Sequence, residues 1–110
     1  MVYAGDGAGS RSVLSAVESL RAALPLDAQV EAFREEDLLS GDWADDCALL
    51  VMPGGADLPF CRRLNGAGNA LIRGYVERGG SYLGLCAGAY YACRRVEFEI
   101  GTRLERQTLA

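Results

Sequence analysis

The chain has 110 residues, enough for one compact domain and too few for two. It carries 15 acids and 11 bases, a net charge of −4, and every base is arginine; neither lysine nor histidine occurs. A lysine Schiff base, a phosphate-loop lysine, a histidine general base and the usual histidine-containing zinc sites cannot come from these residues. The acidic balance, with no arginine stripe, argues against nucleic acid as a partner. No apolar run approaches the ~18 residues that a membrane span needs, so no membrane association is expected.

The apolar pattern changes period several times along the chain. Met1 to Ala4 reads as a short strand, with neither the basic segment nor the apolar length of a signal peptide. Gly5-Asp6-Gly7-Ala8-Gly9-Ser10 follows as a turn, and Ser10 or Ser12 is positioned to cap a helix. Val13, Leu14, Val17, Leu20 and Leu24 give that helix an apolar face, and Pro25 ends it. Ala28 to Phe33 alternates like a half-exposed strand near a sheet edge, and 35–43 reads as a turn or one helical turn.

Cys47 to Met52 is a continuous apolar run, predicted as a central strand buried on both faces and stopped by Pro53-Gly54-Gly55. Residues 56–65 read as a loop. A helix is predicted over about 66–78, with Leu71, Ile72, Tyr75 and Val76 inward and Gly79-Gly80 as its end. Ser81 to Leu85 is the next strand, Ala87 to Arg94 a small-residue helix, and Glu97 to Ile100 a final strand; the tail from Thr102 carries little pattern. Tyr3, Phe33, Trp43, Phe98 and at least one of Tyr90 and Tyr91 read as packing residues.

This rhythm of strand and helix, with buried central strands, predicts a three-layer α/β fold. The expected form is a mostly parallel sheet of about five strands with helices on both faces. Ligand sites in such folds lie beyond the C-terminal ends of the strands. Three strand ends carry unusual residues: the Gly5–Ser10 turn, the Pro53–Asp57 turn and Cys86.

The four cysteines stand at 47, 61, 86 and 93, and no pair forms C-x-x-C. That spacing does not suit a metal cluster. The apolar surroundings of Cys47 and Cys93 read as ordinary buried thiols, and a reducing cytoplasmic setting is expected. Cys86 is different. Gly84-Leu85-Cys86-Ala87-Gly88 has the form of a nucleophile elbow, in which small residues two before and two after let strand and helix close around a strained turn. The Ala87 amide, with that of Gly54 or Gly55, is positioned to serve as an oxyanion donor. The plain alternative is a thiol that only packs.

A cysteine nucleophile also needs a base, and no imidazole is present. Glu18 and Asp6 are the carboxylates nearest in pattern, although a solvated helix acid and a turn cap are the readings favoured for them. The Gly5–Ser10 turn lacks the dinucleotide spacing and has no following lysine, so no nucleotide or other cofactor is expected. Asp57 and Arg62 are candidate ligand-binding residues; Arg62 could clamp a carboxylate, or form a solvated pair with Arg63.

Two long runs carry a family resemblance. Val51-Met52-Pro53-Gly54-Gly55-Ala56-Asp57-Leu58-Pro59-Phe60-Cys61 resembles the amidotransferase-like N-terminal domain of fungal-type biotin protein ligases and their bacterial relatives. So does Leu85-Cys86-Ala87-Gly88-Ala89-Tyr90-Tyr91-Ala92-Cys93, with Val96-Glu97-Phe98-Glu99 after it. Tyr3 to Gly9 and Leu64-Asn65-Gly66 are similar too. The bare elbow is shared with class I glutamine amidotransferases and the DJ-1/PfpI group.

The resemblance implies a flavodoxin-like sheet, Cys86 at the amidotransferase nucleophile position, and glycines after the third strand lining its oxyanion site. In class I glutaminases a histidine and a glutamate from a later strand end complete the triad. The resemblance therefore implies a single domain over 1–110 that lacks the C-terminal part. The ligase chemistry of the family belongs to a separate biotin- and ATP-binding domain.

Three functions fit this reading. One is a non-catalytic binding or regulatory module for a small molecule or protein. Another is a DJ-1-like cysteine-dependent hydrolase or redox sensor using Cys86 with a nearby carboxylate. The last is a structural role, with a homodimer covering exposed apolar surface.

Overall fold

The computed structural model describes residues 1–98 and 106–109, with side chains through residue 97. Four strands, β1 (Val2–Tyr3), β2 (Ala32–Phe33), β3 (Leu49–Met52) and β4 (Ser81–Gly84), form a parallel sheet in the order β2-β1-β3-β4. The chain moves outward from β1 to β2 and then crosses back to β3. With right-handed crossovers, that reversal sends the first two helices to opposite faces. The fold is the expected flavodoxin-like α/β arrangement.

One face is covered by α1 (Ser10–Ala23), and the other by α2 (Glu35–Ser40), α3 (Asp57–Leu64), α4 (Ala67–Glu77) and α5 (Ala87–Tyr91). Strand alternation explains the division. Val2 and Val51 pack with Ala16, Val17 and Val30 on the α1 side, while Tyr3, Leu50 and Met52 point into the larger core opposite. That core is rich in rings. Tyr3 meets Phe33 and Phe60 edge-on, Phe60 meets Tyr91 in the same way, and Trp43 lies 5.1 Å from Tyr75.

Several expectations need correction. Gly9, not a serine, occupies the N-cap of α1 and makes no side-chain cap bond; Ser10 is already helical. The inward stripe of α1 is Val13, Ala16, Val17 and Leu20, at i, i+3, i+4 and i+7, and Leu14 is 57% exposed. Residues 57–64 are a helix and not a loop. Pro59 stands in its first turn, where no intrahelical N–H is needed, and Phe60 and Leu64 bury one face. On α4, Ile72 and Tyr75 are buried but Val76 is exposed.

The predicted last helix ends early, at Tyr91. Cys93 therefore lies past its end and is exposed, not buried, with its thiol against the Ala89 carbonyl at 3.5 Å. Tyr91 is buried and Tyr90 exposed. The last expected strand is β5 (Arg95–Phe98), which pairs antiparallel with β6 (Arg106–Leu109) in the tail, apart from the four-stranded sheet. Glu99, Ile100 and the Phe98 side chain lie outside the described residues.

Candidate functional site

Cys86 joins β4 to α5 and has φ 50 and ψ −109, the one non-glycine residue with positive φ among those described. That backbone is costly for an L residue and persists only where its surroundings enforce it. The enforcement comes from close approach on both sides. A Cβ on Gly88 would stand 1.9 Å from the Met52 carbonyl oxygen, and one on Gly84 would stand 2.6 Å from that of Gly88. The Leu85 N–H donates to Met52 O at 3.0 Å, and the Tyr82 hydroxyl donates to Gly88 O at 2.7 Å. Burial holds the Tyr82 phenol well above its ordinary pKa, with smaller contributions from Tyr91 and Cys93, so it stays a donor.

The loop after β3 meets the loop after β1. Gly9 N–H donates to Gly54 O at 3.0 Å, Ala56 N–H donates to Gly7 O at 2.8 Å, and Ala8 bridges Gly55. Gly55 has φ 143, and a Cβ there would lie 2.0 Å from Gly7 O, so only glycine fits. With Gly54 O turned toward Gly9, the trans peptide turns the Gly55 N–H the opposite way. Among the described residues no acceptor meets the N–H of Gly54, Gly55 or Ala87. Gly54 adjoins the cysteine: a Cβ on it would lie 3.7 Å from that of Cys86.

Cys86 is exposed and lines a cavity of about 720 Å³ between α1 and β4. Arg11, Ser12 and Ser15 line it from α1, and Leu83 of β4 and Leu85 just after it, each 40% exposed, line it opposite. Gly54 lines it too. Glu18 and Asp6 are exposed and stand outside the cavity lining, as do Asp57 and Arg62. Asp57 is fully buried in the first turn of α3, and Arg62 faces solvent. The structure thus brings together Cys86 and Gly54, and leaves the four candidate charged residues elsewhere. All four cysteines are free thiols, and no group of three potential metal ligands occurs among the described residues.

Sequence reasoning passed over Glu35. Glu35 is 2% exposed, and its carboxylate gathers four donors from other residues. Oε2 accepts from Asp6 N–H at 2.9 Å and from the Tyr3 hydroxyl at 3.1 Å; Oε1 accepts from Arg34 at 3.1 Å and Arg63 at 3.3 Å. Burial pushes this carboxyl up, but the bonds from Asp6 N–H, its own N–H and Tyr3, with the Arg34 charge, outweigh it and hold the pKa below the ordinary value. The same burial and the Glu35 charge push Tyr3 up. Asp37 accepts from the Arg34 N–H at 3.1 Å, half of a capping box, which fixes the turn that presents Glu35.

A parallel sheet ordered 2-1-3-4, with a cysteine on the strand-to-helix turn at its C-terminal edge, defines a flavodoxin-like α/β domain. Residues 1–108 match the family described as "Biotin-protein ligase, N terminal", and the chain belongs to that family. It is 39% identical over 100 residues to an uncharacterized protein of Chlamydia muridarum, covering 89% of this chain and 39% of that protein. It is also 39% identical over 103 residues to a biotin–protein ligase of Schizosaccharomyces pombe, covering 91% of this chain and 16% of the ligase. The chain therefore spans well under half the length of either relative. Among the described residues no helix is long and apolar enough to cross a membrane.

Proposed function

We propose that this chain is a non-catalytic binding or regulatory module of the amidotransferase-like class, with Cys86 on a nucleophile-elbow turn. The observation that carries this reading is the lining of the Cys86 cavity. It offers a thiol, an arginine and serine hydroxyls, with no carboxylate among the described lining residues and no imidazole in the 110. A thiol without a base to take its proton, or an acid to protonate the leaving group, is poorly equipped for acyl transfer.

The Gly54, Gly55 and Ala87 amides are oxyanion-type donors in this reading, able to hold a carbonyl or carboxylate oxygen without turning it over. The kinship with the yeast biotin–protein ligase supports a role as an accessory domain, not as the ligase itself. The four free thiols support a reducing, cytoplasmic setting.

The test is ammonia release from glutamine, together with alkylation of Cys86 at pH 7 resolved by peptide mass, with Cys47, Cys61 and Cys93 as internal controls. The expected result is no release above that of Cys86→Ser, and alkylation of Cys86 within about tenfold of the exposed Cys93. Cys86-dependent turnover, or a far faster Cys86, would replace this reading with the DJ-1-like thiol enzyme or sensor.

A further inference from the structure

We infer that Glu35 is a positioning residue for the Cys86 turn, acting through two loops that it clamps at once. The inference rests on the proposed role of Cys86 and the neighbouring amides, and the observation behind it is the branching of the Glu35 carboxylate. One oxygen, Oε2, holds the loop after β1 through Asp6 N–H at 2.9 Å and holds β1 itself through the Tyr3 hydroxyl. The other, Oε1, takes Arg63 at 3.3 Å. Arg63 lies on α3, the helix that opens directly after the Pro53–Ala56 loop.

Glu35 thus fixes the first loop from within and reaches the second through α3, whose last turn carries Arg63. The two loops are bonded to each other by Gly9 N–H to Gly54 O and by Ala56 N–H to Gly7 O. Gly54, in turn, lines the same cavity as Cys86, and a Cβ on it would lie 3.7 Å from that of Cys86. The shorter route runs from Asp6 along the first loop, across the Gly7–Ala56 bond to the second loop, and so to Gly54.

The space around the carboxylate agrees. A Cβ on Gly5 would fall 1.9 Å from Glu35 Oε2, so the backbone of the first loop is drawn against the carboxylate with no side chain between them. Glu35 touches neither the cavity nor Cys86. Its effect reaches the thiol only by setting the plane of the Gly54–Gly55 peptide. Losing the carboxylate frees Asp6 N–H and Arg63 together, and the bonds between the loops then open more often.

The test compares wild type with Glu35→Ala, with Arg63→Ala as a milder variant that cuts only the α3 link, and with Leu38→Ala as a control. Leu38 is a fully buried core residue on the same helix, so its loss destabilises the core while leaving the Glu35 carboxylate in place. Hydrogen exchange of the Gly9 and Ala56 amides is read first. Glu35→Ala should raise both rates on the order of tenfold above the control, and Arg63→Ala should raise Ala56 in the same direction.

The second readout is the ratio of Cys86 to Cys93 alkylation, which should shift in Glu35→Ala and stay put in Leu38→Ala. Exchange at the control level in both variants overturns the clamp. Raised exchange with an unchanged alkylation ratio overturns the positioning of Cys86. Should Glu35→Ala not fold, Arg63→Ala decides alone by the same two readouts. Turnover or unusual reactivity of Cys86 in the wild type would remove the proposed function while leaving the exchange result to judge the clamp separately.

Discussion

The Tyr82 hydroxyl donates to the Gly88 carbonyl oxygen at 2.7 Å, so a side chain from the strand before Cys86 is tied to the helix after it. The bond spans the one turn in the described chain where a non-glycine residue holds positive φ. Tyr82→Phe keeps the ring and loses the donor. It should cost about 1 kcal/mol, read as a lower urea midpoint at unchanged slope.

Gly88 tests how tightly β3 and α5 are packed behind that turn. Its missing Cβ would fall 1.9 Å from Met52 O, a backbone atom that cannot step aside. Gly88→Ala should cost roughly 3 kcal/mol or more. Gly66 has φ 89 but open space around it, so Gly66→Ala should cost only about 1–2 kcal/mol for the backbone angle. Thermal unfolding of the two variants side by side separates clash from conformational strain.

Glu35 makes stability depend on acid. Its folded pKa lies below the unfolded value of about 4.3. Its contribution is therefore fully present above that pH and is lost as pH falls through the folded value. The stability advantage of wild type over Glu35→Gln should be constant near neutrality and shrink below about pH 4, as measured by denaturant titrations across the range.

Tyr75 acts at the other end of the scale. Burial first, then its hydrogen bond to Cys47, pushes the phenol up to about 12. Because the folded pKa is raised above the unfolded one, its contribution is present below about pH 10 and lost as pH rises toward about 12. Wild type should therefore lose stability more steeply in that window than Tyr75→Phe, which starts about 1 kcal/mol lower at neutral pH.

The two adjacent arginines on α3 should differ. Arg63 reaches Glu35 at 3.3 Å while its side chain remains 47% exposed. Solvent screening limits that pair to about 1 kcal/mol or less. Arg63→Ala should show coupling to Glu35 in a double-mutant cycle, and Arg62→Ala, facing solvent, should change stability by under about 0.5 kcal/mol.

The sheet was legible because its signals are local. The run ending in Leu49-Leu50-Val51-Met52, stopped by Pro53-Gly54-Gly55, has the length and make-up of a strand buried on two faces, and Cys86 between Gly84 and Gly88 announces a tight strand-to-helix turn. Other elements were hidden by competing local signals. The stretch 56–65 reads as a loop by its mixed polar make-up, whereas burial of Phe60 and Leu64 makes 57–64 a helix. On α1, Leu14 matched the apolar spacing, yet the position of the helix over β1 and β3 chose Ala16 instead.

By itself, the sequence determined the fold class, the strand ends where chemistry can gather, and the lack of an imidazole. Those follow from composition and from periods of two and 3.6 residues, which need no knowledge of distant neighbours. Only the tertiary structure decided which charged groups lie at the Cys86 cavity. Glu18, Asp6, Asp57 and Arg62 were credible by their place in the chain, and none of them lines the Cys86 cavity. Glu35 had no distinguishing neighbours in sequence, yet packing carries it against Tyr3, Asp6 and Arg63. A buried carboxylate is tolerated only where donors converge on it, and that convergence is made by residues 28 to 32 positions away in the chain.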